Sequence, residues 1–181
     1  GADQLTRWVD WDDRRSCVLF GDGAGAVALE AIDLENDGLI GFKLKSDGSR
    51  GDCLNLNQIQ ESLPLADGLT HQRGGFSPVQ MNGQEVYKFA VREVPLILEK
   101  LLRENSVTPE DLDWLLLHQA NQRILDAVAG RFHIPSTKVL SNLANYGNTS
   151  AATIPLMLDE AVRDGRVQTG NLIAASGFGA G

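Results

Sequence analysis

The chain contains few cysteines, few aromatic residues and no long apolar run. Its 181 residues include 2 Cys, and aromatic residues make up 6% of the sequence. The cysteines form no Cys-x-x-Cys pair and have no His at metal-ligand spacing, so we expect neither a disulfide framework nor a metal site, and a reducing compartment. Apolar stretches such as 17–20 and 114–117 fall far short of the ~20 residues of a membrane-spanning helix.

The net charge of −8 excludes another class of protein. With Lys and Arg numbering 16 against 24 Asp and Glu, the surface lacks the general basic character of a nucleic-acid binder, although local basic patches remain allowed. Residues 1–15 contain acids and show neither the apolar core of a signal peptide nor a transit-peptide pattern. The chain starts at Gly1 and stops in a glycine turn, so we expect that both ends are truncated.

The hydrophobic patterning is typical of a mixed α/β protein. Residues 46–80 are polar and glycine-rich, which predicts a long connection, and Asn36 to Gly38 predict a turn. Pro95 is expected to kink or break the helix around it, and Ser150 is a candidate helix cap. The predicted strands are 17–20, 24–30, 39–44, 113–117, 138–140 and 171–175, and the predicted helices are 83–105, 108–111, 121–132 and 151–164.

The alternation of strands and helices from 113 to 175 predicts a largely parallel sheet, whose sites lie beyond the carboxyl ends of the strands. Three loops follow such ends: 118–121, 147–150 and 177–181. We therefore expect His118, Asn148 and the glycine-turn amides to converge. These groups are neutral hydrogen-bond donors suited to a developing oxyanion, with His118 donating through Nε2–H, but no nucleophile stands among them.

Several segments resemble one family in the same order along the chain. HQANQRI (118–124) and NYGNTSAATIP (145–155) look like the His and Asn motifs of β-ketoacyl-acyl carrier protein synthase III, a thiolase-like condensing enzyme. GDGAGAVALEA (21–31), MNGQEVYKFAV (81–91), LDEAVRDGRV (158–167) and GFGAG (177–181) resemble its other blocks. The resemblance covers nearly the whole chain.

The resemblance implies a decarboxylative Claisen condensation between a short acyl-CoA, such as acetyl-CoA, and malonyl-acyl carrier protein. His118 and Asn148 are implied to be two of three catalytic residues. The third is a cysteine in an upstream Ala-Cys-x-Gly type motif that this sequence lacks, and neither Cys17 nor Cys53 matches it. We expect Cys17 to be a small buried hydrophobe. No cofactor is implied, since coenzyme A and phosphopantetheine arrive with the substrates.

The resemblance also implies binding residues. Ala180 departs from the family's usual Gly, and Tyr87 from a frequent Phe. An acidic carrier protein would be steered by a local cationic patch. The implied pantetheine-tunnel and oxyanion-loop residues are Met81, Gly83, Tyr87, Ala120, Asn121, Phe178 and Ala180, and the implied carrier-docking residues are Gln119, Ala120, Asn121, Gln122, Arg123 and Lys88.

Plainer interpretations stay open for these residues. His118 is otherwise a satisfied polar residue, Asn148 a turn or helix-cap residue, and Arg123 and Lys88 part of a solvated face. The glycines of 21–25 match no nucleotide-binding motif. Two alternative functions also remain: a condensing enzyme of polyketide or alkylquinolone type, and a structural half that is inactive by itself.

The implied fold is α/β and thiolase-like, layered α-β-α-β-α in the full enzyme. On this interpretation residues 1–45 end the N-terminal half, and residues 46–181 form a C-terminal half truncated before its last strand. We expect a homodimer in the cytoplasm, or in the plastid stroma of a plant or alga, with no nucleic-acid partner.

Overall fold

The computed structural model describes residues 1–31, 33 and 38–180. The strands are β1 (Ala2–Asp3), β2 (Gly23–Ala24), β3 (Leu54–Asn55), β4 (Gln58–Ala66), β5 (Leu69–Phe76), β6 (Gln80–Met81), β7 (Trp114–Leu117), β8 (Val139–Leu140) and β9 (Ile173–Ser176). The α-helices are α1 (Gly83–Glu104), α2 (Gln122–Arg131), α3 (Leu143–Tyr146) and α4 (Thr153–Arg163). No helix in the described ranges has the length and apolar character needed to cross a bilayer.

A parallel sheet in the order β8-β7-β9 forms the centre of the molecule. Leu116 of β7 lies opposite Leu140 of β8, and Leu117 lies opposite Ser176 of β9. The predicted parallel sheet is confirmed. Because all three strands run in one direction, their carboxyl ends, and the loops that follow them, lie at one edge.

Successive residues of β7 point to opposite faces, so the sheet has helices on both sides. Leu115 and Leu117 pack in a core with α1 and α2, whereas Leu116 packs in a second core with residues of α4. The continuous apolar sequence of β7 therefore reflects burial on two faces. The first core includes Val94, Leu98, Leu125 and Val128, and the second includes Leu140, Met157 and Ala161.

The predicted elements from residue 83 onward agree with the structure to within about two residues, whereas the short helix α3 was not predicted. The Asp111 carboxylate closes the short 3₁₀ turn Pro109–Asp111 by accepting hydrogen bonds from the N–H and the hydroxyl of Thr108. Gly165, with φ of 81°, follows the end of α4. Pro95 was predicted to kink or break its helix. A break is wrong, because α1 continues through Pro95. Pro95 is buried, so its packing offsets the backbone hydrogen bond that proline removes.

The predicted strands near the N-terminus are wrong. Residues 17–19 form a turn, Phe20 makes a single parallel bridge with Asn148, and 24–30 retains only the start of a strand, at β2. The run 39–44 pairs with no strand among the described residues. An alternating pattern specifies one face of a strand but does not supply the neighbouring strand that a hydrogen-bond ladder requires.

Residues 39–44 nevertheless include both a contact with α1 and exposed apolar side chains. Lys43 forms an ion pair with Glu104 of α1, while Ile40, Phe42 and Leu44 are exposed. Of the predicted turn at 36–38, Asn36 and Asp37 lie outside the described residues.

The predicted connection 46–80 contains a hairpin that sequence reasoning missed. Strands β4 and β5 pair in antiparallel fashion around Asp67 and Gly68, and Gly68 has φ of 75°. The Asp-Gly pair is a hairpin signal, but the polar, exposed arms lack the apolar alternation that normally accompanies it. At its base, β3 pairs with β6, which brings the hairpin to the start of α1.

Candidate active site

The three predicted loops meet at the carboxyl edge of the sheet. The backbone N–H of His118, directly after β7, donates to the Ser176 carbonyl at the end of β9 with a distance of 2.8 Å. The Phe178 ring stands edge-on to the imidazole of His118, with centroids 4.9 Å apart and planes at 81°. The parallel register thus brings the first and third loops into contact.

The second loop reaches His118 through Thr153 at the start of α4. His118 Nδ1 lies 2.7 Å from Thr153 Oγ1, and that hydroxyl donates to the Ser150 carbonyl at 2.9 Å. The Ser150 N–H in turn donates to Asn148 Oδ1 at 2.9 Å. One hydrogen-bonded network therefore connects the two residues of the predicted catalytic pair.

Asn148 is held by its backbone as well as by this network. Its N–H donates to Leu19 and its carbonyl accepts from Gly21, each at 2.9 Å, so residues 19–21 anchor the loop. Gly147 has φ of 66°, and a Cβ there would stand 3.0 Å from the Leu19 carbonyl oxygen. The close approach of the two segments therefore requires glycine at position 147.

The turn after Asn148 differs from the sequence prediction. Ser150 has φ of 51°, which is strained for a residue other than glycine, and no capping bond from its side chain to α4 is found in the described chain. Instead Asn148 Oδ1 accepts from the Ser150 N–H. Asn148 is thus a turn-stabilising residue, and its Nδ2 has no partner among the described residues. His118 Nε2 likewise has none there.

The imidazole of His118 is kept neutral by its surroundings. Burial lowers its pKa from about 6.5 to about 4, although the Ser150 carbonyl opposes this shift. The residues that contact the ring are Thr153, Phe178 and the Ser150 backbone, none of them charged. The site thus combines a buried imidazole with a carboxamide whose Nδ2 can donate a hydrogen bond to a substrate oxygen.

Gln119 lies in the interior of the protein and not at its surface. It was predicted as a carrier-docking residue, but its side chain is completely buried, so it offers no docking contact. Its Oε1 accepts from the Asn142 N–H at 2.9 Å and from Ser141 Oγ at 3.1 Å, and its Nε2 donates to Asn142 Oδ1 at 3.0 Å. Asn142 Nδ2 continues the network to Glu160 at 3.0 Å. Gln119 thereby ties the loop of His118 to the segment that leads to Asn148.

The remaining predicted tunnel residues are distributed around α1 and α2. Tyr87 of α1 packs against the first core, as does Ala120, and Asn121 caps α2 by accepting from the Ile124 N–H at 3.0 Å. Met81 ends β6, and Gly83 begins α1. Ala180 is exposed in the loop after β9, and Gly181 lies outside the described residues.

Among the predicted docking residues, Arg123, Gln122 and Lys88 are exposed. The Arg123 guanidinium lies 5.1 Å from the centre of the Tyr87 ring, which brings this cation beside the N-terminal part of α1. Lys88 pairs with Glu85 at 2.7 Å, so part of its charge is neutralised. Arg123 is therefore the less compensated of the two cations.

Both cysteines are free thiols of intermediate exposure, so the expectation that Cys17 is buried is wrong. Within residues 1–31, 33 and 38–180, no group of His, Cys, Asp and Glu is arranged to hold a metal ion.

Thr153 and the Gln119–Asn142–Glu160 network were missed from the sequence. Thr153 follows Asn148 by five positions, and its hydroxyl reaches His118 only because the 3₁₀ turn Ser150–Ala152 precedes α4. A Gln two residues after an apolar strand was a signal, since a polar side chain that is buried there needs partners.

We predict that the pKa of His118 makes stability pH-dependent. The unfolded chain binds a proton near pH 6.5 and the folded chain only near 4, so stability is complete above 6.5 and falls as the pH drops toward 4. The loss is up to about 3 kcal/mol. Denaturant unfolding of the full-length protein across this window measures it. His118→Gln should remove this dependence of the free energy of unfolding on pH, and the exposed control His71→Gln should retain it. An equal dependence on pH in both variants would contradict the prediction.

Comparison with known proteins identifies relatives along the whole chain. A family model described as 3-oxoacyl-[acyl-carrier-protein] synthase III matches residues 1–48, and one for the C-terminal part of the same enzyme matches 102–181. The beta-ketoacyl-[acyl-carrier-protein] synthase III of Prochlorococcus marinus (strain MIT 9313) is 77% identical over all 181 residues, which are 53% of that protein.

Solved structures give the same result. The 3-oxoacyl-[acyl-carrier-protein] synthase III of Aquifex aeolicus VF5 has a TM-score of 0.83 at 37% identity, over 99% of this chain and 52% of that one. The synthase III of Pseudomonas aeruginosa PAO1 has a TM-score of 0.84 at 37% identity, over 99% and 53%. The fold is thus α/β and thiolase-like, as predicted, and the chain spans about half the length of the relatives it matches.

Proposed function

Since this chain belongs to the 3-oxoacyl-[acyl-carrier-protein] synthase III family, we propose that the full-length protein is the acyltransferase that starts fatty-acid synthesis. It condenses a short acyl-CoA, acetyl-CoA, with malonyl-acyl carrier protein, releases CO₂ and yields 3-oxoacyl-acyl carrier protein. The network that joins His118 and Asn148 at the carboxyl edge of the sheet carries the proposal.

The two side chains act on the oxygen of the malonyl thioester. Loss of CO₂ leaves an electron pair that becomes an enolate, and its negative charge concentrates on that oxygen. Asn148 Nδ2 donates a hydrogen bond to it, and His118 Nε2 faces it from the neighbouring loop. A preorganised donor of this kind contributes about 3–4 kcal/mol to the transition state in a site without bulk water. The Phe178 ring supplies an apolar wall beside the imidazole.

The nucleophile that takes the acyl group is a cysteine outside these 181 residues. Cys17 and Cys53 are free thiols, and neither belongs to an Ala-Cys-x-Gly type motif or forms a hydrogen bond with His118 or Asn148 among the described residues. The chain thus contributes the decarboxylation machinery and not the acylation machinery. Coenzyme A is a leaving group in the first half-reaction, and the condensation uses no cofactor.

The pantetheine arm runs between α1 and the loop after β7. Met81, Gly83 and Tyr87 line one side, and Ala120 and Asn121 line the other, where the Asn121 Nδ2 group remains able to donate after Oδ1 has capped α2. The Phe178–Ala180 backbone faces the acyl oxygen. The protein works as a homodimer in the cytoplasm, or in the plastid stroma if its source is a plant or alga.

The carrier protein docks beside α2. Arg123 and Lys88 are cations on an otherwise acidic chain, and they stand next to the predicted entry of the pantetheine arm. An acidic partner is attracted to this position and repelled elsewhere. Gln122 and the Ala120–Asn121 backbone complete the contact, whereas the buried Gln119 side chain supports it from beneath.

We predict that His118→Ala and Asn148→Ala each lower malonyl decarboxylation by at least about 100-fold, because each removes a group that interacts with the enolate oxygen. Acylation of the full-length enzyme by acetyl-CoA should stay largely intact. CO₂ release from malonyl-acyl carrier protein and mass spectrometry of the acyl-enzyme measure the two steps. His133→Asn and Asn145→Ala, both at exposed positions, are the controls. Decarboxylation at the wild-type rate in both active-site variants would remove the proposed roles.

We predict that Arg123→Glu weakens the affinity for the carrier protein by roughly fivefold to tenfold, because it places a negative charge opposite an acidic partner. Turnover of acyl-CoA should not change. Arg131→Glu makes the same charge change at the far end of α2 and serves as the control. Titration of both variants with carrier protein at two salt concentrations provides the measurement; an unchanged affinity for Arg123→Glu would exclude Arg123 from the docking surface.

A further inference from the structure

Two oxygen atoms near His118 determine which of its ring nitrogens carries the proton. Nδ1 lies 2.7 Å from Thr153 Oγ1, and Oγ1 lies 2.9 Å from the Ser150 carbonyl oxygen. A carbonyl oxygen only accepts, so the hydroxyl must donate its one hydrogen to Ser150. Otherwise the lone pairs of two oxygens would face each other at that distance. Thr153 Oγ1 can then only accept a hydrogen bond from the imidazole, so Nδ1 must be the donor.

The Ser150 carbonyl reinforces this arrangement. As an acceptor near the His118 ring, it also opposes the loss of the ring proton and so raises the pKa of His118 against the effect of burial. The carbonyl is aimed at the ring because Ser150 adopts φ of 51° and its N–H is fixed by Asn148. A backbone conformation that is strained for serine is thus used to orient an acceptor toward the imidazole.

We propose that Thr153 is a positioning residue that, with the Ser150 carbonyl, keeps a proton on Nδ1 of His118 and leaves Nε2 as the only ring atom that gains or loses a proton. In the neutral ring Nε2 then carries a lone pair, not the N–H expected from the sequence. The imidazolium keeps the same Nδ1 contact and gains an N–H at Nε2, directed at the substrate. This proposal rests on the proposed function of the site and defines how His118 serves it.

The tautomer has a consequence for the reaction. The condensation consumes one proton, because a carboxylate leaves as neutral CO₂. The bound malonyl carboxylate favours the imidazolium, so Nε2 takes a proton from solvent and donates a hydrogen bond to the enolate oxygen. As the enolate carbon bonds to the acyl carbon, the acyl C–S bond breaks, and the released thiolate takes the proton from Nε2. The neutral ring with its Nδ1 proton is restored.

The first experiment measures the tautomer directly, on the full-length protein labelled with ¹⁵N-histidine. We expect the His118 signals of a protonated Nδ1 and an unprotonated Nε2 at neutral pH, with assignment by loss of those signals in His118→Gln. Thr153→Val removes one of the two acceptors and should shift the tautomer ratio toward Nε2–H by about fivefold, the effect of losing one ordinary hydrogen bond. Thr153→Ser should keep the wild-type pattern. An Nε2–H tautomer in the wild-type protein would overturn the proposal.

The second experiment separates positioning from a general loss of structure. Thr153→Val should slow malonyl decarboxylation by about fivefold and move its pH profile to lower pH, because the imidazolium loses an acceptor. Acylation by acetyl-CoA should stay within about twofold, and Thr153→Ser should restore both values. Equal losses in both half-reactions, or a profile that does not move, would overturn the proposal. If His118→Ala decarboxylates normally while the tautomer is as expected, the proposed function fails and the tautomer assignment stands.

Discussion

The parallel pairing of β7 with both of its neighbours is the constraint on which the site depends. Each strand ends at the same edge, so the residue that follows β7 meets the loop that follows β9 without any long connection. The bond from the His118 N–H to the Ser176 carbonyl continues the ladder one residue past β7. His118 is therefore held by the sheet itself, and a flexible loop is not required to position it.

A second layer of polar contacts sets the distance between the loops. Gln119 fills a completely buried position with three hydrogen bonds to Ser141 and Asn142, which keeps the β7 end and the β8 end together. Such a network is stabilising only when every member has its partner. The same requirement explains the conformation of Ser150, whose N–H and carbonyl are both used, one by Asn148 and one by Thr153. Local strain there is offset by two contacts that orient the proposed catalytic pair.

Sequence reasoning succeeded where local patterns and fold rules are sufficient. The helices over 83–105 and 121–132 and the buried run of β7 were each readable from the sequence, and the crossover rule then predicted that His118, Asn148 and the turn 177–181 share one edge. It failed where a distant partner decides the outcome. Residues 39–44 alternate like a strand but have no neighbouring strand in the described chain, and the exposed arms of β4 and β5 gave no apolar pattern.

Within the site, the residue types were predictable and their connections were not. The pattern of His and Asn indicated an oxyanion site, and the family resemblance implied that Gln119 lies at a docking surface. The burial of Gln119 and the proposed Nδ1 proton of His118 both depend on residues from elements 20 to 40 positions away, Asn142 in one case and Thr153 in the other. The family resemblance supplied the reaction, and the hydrogen bonds around His118 and Asn148 supply the physical reason that these two side chains can act together.

The central claim is that His118 and Asn148 act on one substrate oxygen. The most direct test is a crystal structure of the full-length protein with a malonyl-pantetheine analogue that cannot lose CO₂. We expect the thioester oxygen within about 3.2 Å of both Asn148 Nδ2 and His118 Nε2. An oxygen that contacts neither nitrogen, with the analogue bound and the carboxyl edge of the sheet open, would contradict it.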